Sequence, residues 1–182
     1  MAMIDKAVVL GLTAGFLFAF NPLATAQEEK PAAVAQVEAP ERDSYLNDLK
    51  RRHGTKDERT ALLAESNKLL GDYAFKAGYQ LGQQQHKRED LSYRLTLGSA
   101  GELVVREERR SASGVLTVRN QNFQMFGTDP FIRYDCTTGQ QQSCVLFNPK
   151  DGNPWLTIVR HRQGAEQLTR ALGFLILNLQ KG

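Results

Sequence analysis

From Leu91 onward apolar residues recur at every second position, and this alternation limits the fold more than any other feature of the chain. Leu91, Tyr93, Leu95 and Leu97 are interleaved with Ser92, Arg94 and Thr96, the period of a strand with one face buried. Gly98–Gly101 then turns the chain, Leu103–Arg109 returns, and Ser111–Gly114 turns it again. Val115–Asn120 reads as a third strand, with Phe123, Met125 and Phe126 continuing or bulging that edge. Past the turn Gly127–Pro130 come Phe131–Cys136 and Cys144–Phe147. The turn-rich Asn148–Pro154 leads to a last strand, Trp155–Arg160. Links this short leave no room for the helical crossovers of parallel strands, so an antiparallel meander of about six strands is expected.

Helical periods flank this region. Asp43 or Ser44 can cap a short helix ending at Arg52, with Tyr45, Leu46 and Leu49 on its apolar side. Thr55 or Asp57 can cap a second, with Glu58 placed after Thr55 as in a capping box. Leu62, Leu63, Ser66, Leu69, Leu70, Tyr73, Ala77 and Leu81 follow at spacings of three and four. They predict a helix reaching Gln85, interrupted by Gly71, Gly78 and Gly82. Gln163–Gln180 carries Ala165, Leu168, Leu172, Leu175, Ile176 and Leu179 on one stripe, widened by Phe174 and Leu177. A helix so apolar is buried or meets a partner, and burial across the sheet is the expectation. The sum is an α+β class: N-terminal helices, an antiparallel meander, and a C-terminal apolar helix packed on one face of the sheet. A chain of 182 residues suits one such domain, expected over 43–182.

The N-terminus reads as an address. Lys6 is followed by the uncharged run Ala7–Phe20, too short as a helix to cross a bilayer core of about 30 Å. Asn21-Pro22 breaks it, and Ala24-Thr25-Ala26 supplies small residues for cleavage. Residues 1–26 are therefore expected to be a signal peptide cut after Ala26, leaving no stable transmembrane anchor. Residues 27–42, rich in Ala, Glu, Gln and Pro, are expected to form a flexible linker. Such a protein would be periplasmic or secreted, from a bacterium.

Export changes the meaning of the two cysteines, Cys136 and Cys144. In an oxidising compartment, a pair flanking a polar loop between two strands points to a structural disulfide. A redox pair is more typically Cys-x-x-Cys opening a helix, and a metal would need further ligands. The run Ile132-Arg-Tyr-Asp-Cys136-Thr-Thr-Gly139, followed by Cys144-Val-Leu-Phe147, resembles the cysteine-bearing hairpin of periplasmic lysozyme inhibitors of the C-type family. The resemblance covers 132–147. It implies no more than this hairpin: that family's Ser-Gly and Tyr inhibitory motif has no counterpart downstream, and its members are small barrels without a long apolar helix.

Several chemistries find no pattern to carry them. His53, His86 and His161 lie far apart with no second ligand at metal spacing. There is no Gly-x-Ser-x-Gly, phosphate loop or dinucleotide fingerprint, and neither metal, cofactor nor catalytic residue is expected. Asp129, Asp135 and His161 are the groups a dispersed hydrolase site would draw on. Net charge is +3, which with export argues against nucleic acid. Arg160, His161 and Arg162 precede the last helix, where a helix dipole does not favour cations, and are candidates for meeting a partner. So are Arg94, Arg106, Arg110 and Arg119 on predicted strands, as a basic sheet surface for an envelope protein, lipid or acidic glycan. Trp155, Phe174 and Leu175 are candidates for an apolar pocket. A non-enzymatic envelope binding protein is the leading expectation. A lipid or apolar-ligand carrier and a small periplasmic hydrolase are the alternatives.

Overall fold

The computed structural model describes residues 39–137 and 142–182. The signal segment, the cut after Ala26, most of the 27–42 linker and the tip of the cysteine loop lie outside the described residues. The described elements run α1 (Ala39–Arg52), α2 (Glu58–Asp72), β1 (Glu89–Leu97), β2 (Glu102–Ser111), β3 (Leu116–Gln124), β4 (Tyr134–Asp135), β5 (Ser143–Phe147), β6 (Pro154–Val159) and α3 (Arg162–Leu179). The class is α+β and every strand pair is antiparallel.

The strands do not form one meander. They make two three-stranded sheets, β1-β2-β3 and β4-β5-β6. The break falls between β3 and β4, where the chain leaves the sheet and passes the end of α3. There the Gln180 amide donates to the carbonyls of Met125 (2.8 Å) and Thr128 (2.6 Å), while Met125 and Ile132 are buried. The two sheets meet at a different place. Ala74 bridges Ile158 of β6, and the next residue, Phe75, bridges Leu91 of β1. Two residues thus splice the inner edges together.

That splice explains why α2 is shorter than its apolar period predicts. The helix starts as expected at Asp57, whose side chain accepts from the Thr60 N–H at 2.7 Å. It ends at Asp72 rather than Gln85, because sheet edges claim the next backbone groups. The Val159 N–H donates to the Tyr73 carbonyl (2.9 Å), and the Leu91 N–H to the Phe75 carbonyl (2.8 Å). Beyond lie two single 3-10 turns, with Gly82 at φ 77° and with Tyr79 and Leu81 exposed. The apolar residues past Tyr73 did not mark a buried helical face. In α1 the correction runs the other way. The helix includes Ala39–Arg42, four residues assigned to the linker from sequence. Pro40 sits in its first turn, where a missing N–H costs nothing. Glu41 reaches Arg170 of α3 at 2.8 Å.

α2 packs between α3, α1 and β1, and α3 also lies on β5. The core is continuous across these elements. Leu49, Leu62, Leu70, Leu95, Leu103, Leu156, Ile158, Leu172 and Leu175 are among its fully buried side chains. Gly164 is required by a close approach: a Cβ there would stand 2.7 Å from the ring of Tyr73. Cys136 and Cys144 form a disulfide, with Cα atoms 4.1 Å apart. Its place follows from the pairing of β4 with β5. The Phe147 N–H donates to the Arg133 carbonyl, so Tyr134–Leu146 and Cys136–Cys144 fall at non-hydrogen-bonded pairs, where Cα atoms come closest.

Candidate functional site

The sheet β1-β2-β3 is anchored along β1 and left bare along β3. Leu95, Leu103 and Val105, near the turn Gly98–Gly101, are buried on its inner face. Towards the other turn, Ser111–Val115, the ribbon of β2 and β3 runs clear of the core. Arg109, Arg110 and every residue from Ala112 to Asn120 are exposed. Val115, Leu116 and Val118 are large apolar side chains left in solvent there, Val115 at 63% exposure. Among the described residues β3 is the outer strand, bonded to β2 alone.

The backbone of β3 divides by parity. The Val115 carbonyl accepts from the Ser111 N–H, and the Met125 N–H donates to the Gly101 carbonyl. Odd-numbered residues therefore turn their polar groups to β2, and Leu116, Val118, Asn120 and Asn122 turn theirs outward. Thr128 covers only the carbonyl of Gln124, at 3.5 Å. The opposite edge of the same sheet is closed. On β1 the Gln80 amide exchanges hydrogen bonds with the N–H and C=O of Glu89, Phe75 takes Leu91, and the Asn67 amide clasps Leu95 (2.7 and 2.9 Å). Two side-chain amides and one residue of backbone do the work of a strand.

Charge is balanced rather than basic. The alternation puts Arg94, Arg106 and Arg110 on the outer face together with Asp90, Glu102 and Glu108, and places Arg119 on the inner face. Arg94 stands directly opposite Arg106, which turns to Glu108 (2.8 Å). Like charges in that position repel. On the inner face the nearly buried Glu107 meets Arg109 (3.3 Å) and Arg119 (3.5 Å), and Arg109 also meets Glu89 (2.7 Å). Tyr93 lies beside this cluster and accepts the Thr157 N–H of β6 at 3.3 Å. Burial, with the Glu107 carboxylate second, pushes its phenol up to about 12. Below the cluster a cleft of about 220 Å³ is lined by Phe75, Gln80, Gln83, Lys87, Glu89, Leu91, Arg109 and Thr157. Its carboxylate is already paired to its guanidinium, and its lining holds no histidine, cysteine or serine.

The remaining residues nominated from sequence have local duties. His161 caps α3, its Nδ1 accepting from the Gly164 N–H at 2.9 Å, and its ring stacks on Tyr73 at 4.7 Å. Arg162 pairs with Glu166 one turn on, while Arg160 is exposed. Asp129 holds the Phe131 N–H, and Asp135 holds the N–H and hydroxyl of Thr137. Trp155, Phe174 and Leu175 belong to the packed core. Trp155 meets the ring of Phe123 and Phe174 that of Tyr45, each at 5.4 Å. Among the described residues no three His, Cys, Asp or Glu side chains are grouped to hold a metal, and no helix is long and apolar enough to cross a membrane.

One cluster escaped the sequence reading. Glu65, on the apolar side of α2, is buried against the end of α1, where it binds Arg52 (2.9 Å) and His53 (2.7 Å). A carboxylate three residues after Leu62 on an apolar stripe was the available signal. No protein-family model, curated protein or solved structure matches this chain.

Proposed function

We propose that the chain is an exported, non-enzymatic binding or accessory protein of the bacterial cell envelope, and that it holds its partner by strand addition to the open edge of β3. The observation that carries this reading is the contrast within one sheet. The β1 edge is closed by Gln80, Phe75 and Asn67, while β3 keeps outward N–H and C=O groups from Leu116 to Asn122. Proteins usually defend such an edge with proline, lysine, a bulge or shortness. β3 spans nine residues, pairs with β2 without a bulge, contains neither proline nor lysine, and carries one charge, Arg119. Strand addition takes its affinity from main-chain hydrogen bonds and its selectivity from alternate side chains. The disulfide and the N-terminal apolar segment support export. The packing of Trp155, Phe174 and Leu175 into the core favours binding over carriage of an apolar ligand. The local bonds of Asp129, Asp135 and His161 favour it over a hydrolase assembled from those groups.

A photocrosslinking residue placed in living cells tests this. At Val118 or Asn122 it should trap a discrete protein adduct, and at exposed Lys68 on α2 it should not. Equal labelling from both regions, or none from β3, would remove the edge as the working surface.

A further inference from the structure

We infer that the strand added to β3 is β3 of a second copy of this chain, paired antiparallel about a two-fold axis at Asn120. The inference rests on the reading of β3 as the working edge and names its occupant. Asn120 is the midpoint of Leu116–Gln124, so a two-fold axis there pairs the strand over its whole length. It is also one of the residues whose backbone groups face outward. Two copies then exchange N–H and C=O between Asn120 and Asn120, and between Val118 and Asn122 in both directions. That uses the open groups with none left over between the two valines.

Charge rules out the neighbouring axis. Arg119 is the strand's only charged residue. An axis at Asn120 sets it opposite the neutral Gln121 of the second copy. Moving the axis by one residue to Arg119 would set two guanidiniums face to face, which is destabilising. The strand can therefore pair with its own copy over its full length and in hydrogen-bonding parity, with Arg119 set against a neutral residue. An isologous contact of this kind closes at two copies and joins two three-stranded sheets into one. Both outer edges of the joined sheet are then β1, already sealed by Gln80, Phe75 and Asn67, so assembly stops there.

The experiment uses the full chain as it is produced and processed in cells. Mass is measured by light scattering and sedimentation over a wide range of concentration, for wild type, Asn120→Lys, Asn120→Cys and Asn122→Cys. All these positions are exposed, and melting curves check that each variant folds. The wild type should dimerise, and Asn120→Lys, placing two ammonium groups across the axis, should weaken association about tenfold or more. Asn120→Cys should form a disulfide-linked dimer on oxidation and Asn122→Cys far less, because only residue 120 meets itself. A wild-type monomer at every concentration overturns the proposal, as does a dimer indifferent to Asn120→Lys or equal linkage by both cysteine variants. If the chain is monomeric yet the crosslinker at Val118 traps a different protein, the open-edge reading stands and the second copy falls. If neither occurs, both fall.

Discussion

The two sheets solve the same problem in opposite ways. Each has three antiparallel strands and an outer edge that could pair with a foreign strand. In the second sheet that edge is β4, two residues long and bound to its neighbour by Cys136–Cys144. Its middle strand, β5, lies under α3, and Cys144, Leu146, Leu156 and Ile158 are fully buried. In the first sheet the outer edge is β3, nine residues long and exposed on almost every side chain. One sheet is built into the core, and the other uses the core as a mount. A surface can be offered to a partner at little cost to folding when it lies outside the packing that holds the fold together.

The comparison can be broken at its strong end first. Leu156→Ala in β6 removes a side chain with no exposed area and should cost roughly 2–5 kcal/mol in urea unfolding. A loss near zero would mean that the second sheet is not the anchor. Reducing the disulfide reopens the loop between Cys136 and Cys144, a separation of eight residues, and the chain-entropy model assigns it about 2.5 kcal/mol. Reductant that leaves the melting temperature unchanged would show that the short β4 edge needs no tether. Gly164→Ala tests the seam between α3 and the chain after α2. The new methyl meets the Tyr73 ring at 2.7 Å, and overpacking of this kind costs about 1–3 kcal/mol.

Alkali probes the joint between the sheets at Tyr93 and the contact of α1 with α3 at Tyr45. Burial raises both Tyr93 and Tyr45 to about 12 from an ordinary value near 10. The folded chain holds these protons more tightly than the unfolded one, so the associated stability is complete below pH 10 and disappears as pH rises towards 12. Unfolding free energies measured from pH 9 to 12 should fall, and Tyr93→Phe should flatten part of the decline. A flat profile would sever the link between Tyr93 and the fold. The smallest effect belongs to the edge itself. Val118→Thr should change monomer stability by no more than about 0.5 kcal/mol, and a larger loss would mean that β3 is packed after all.

The sequence made the first sheet legible because its alternation, its glycine turns and its hydrogen-bonding partners are all local. Leu91–Leu97 and Leu103–Arg109 follow from period and turn spacing alone, and the disulfide follows from its flanking strands. What the period could not carry was the tertiary claim on backbone groups. Residues 73–75 keep an apolar spacing that continues α2, yet Val159 and Leu91 take their carbonyls. Where the chain leaves the first sheet, its carbonyls at Met125 and Thr128 are taken by Gln180, far along the chain. The arginines were legible as exposed strand residues, but strand parity, visible in the sequence, already separated Arg119 from Arg94, Arg106 and Arg110. The bareness of β3 was not legible, since an edge is defined by what fails to lie beside it.

The amides of Asn67 and Gln80 have a consequence for how the first sheet finds its place. Leu91, Tyr93, Leu95 and Leu97 would present much the same greasy face if β1 slid along α2 by two residues, so hydrophobic burial discriminates poorly against that error. An amide that bonds both backbone groups of one residue does not tolerate it. Asn67 addresses Leu95 and Gln80 addresses Glu89. They act as two dowels, set at separate points along the strand, that index the projecting ribbon to the body that carries it.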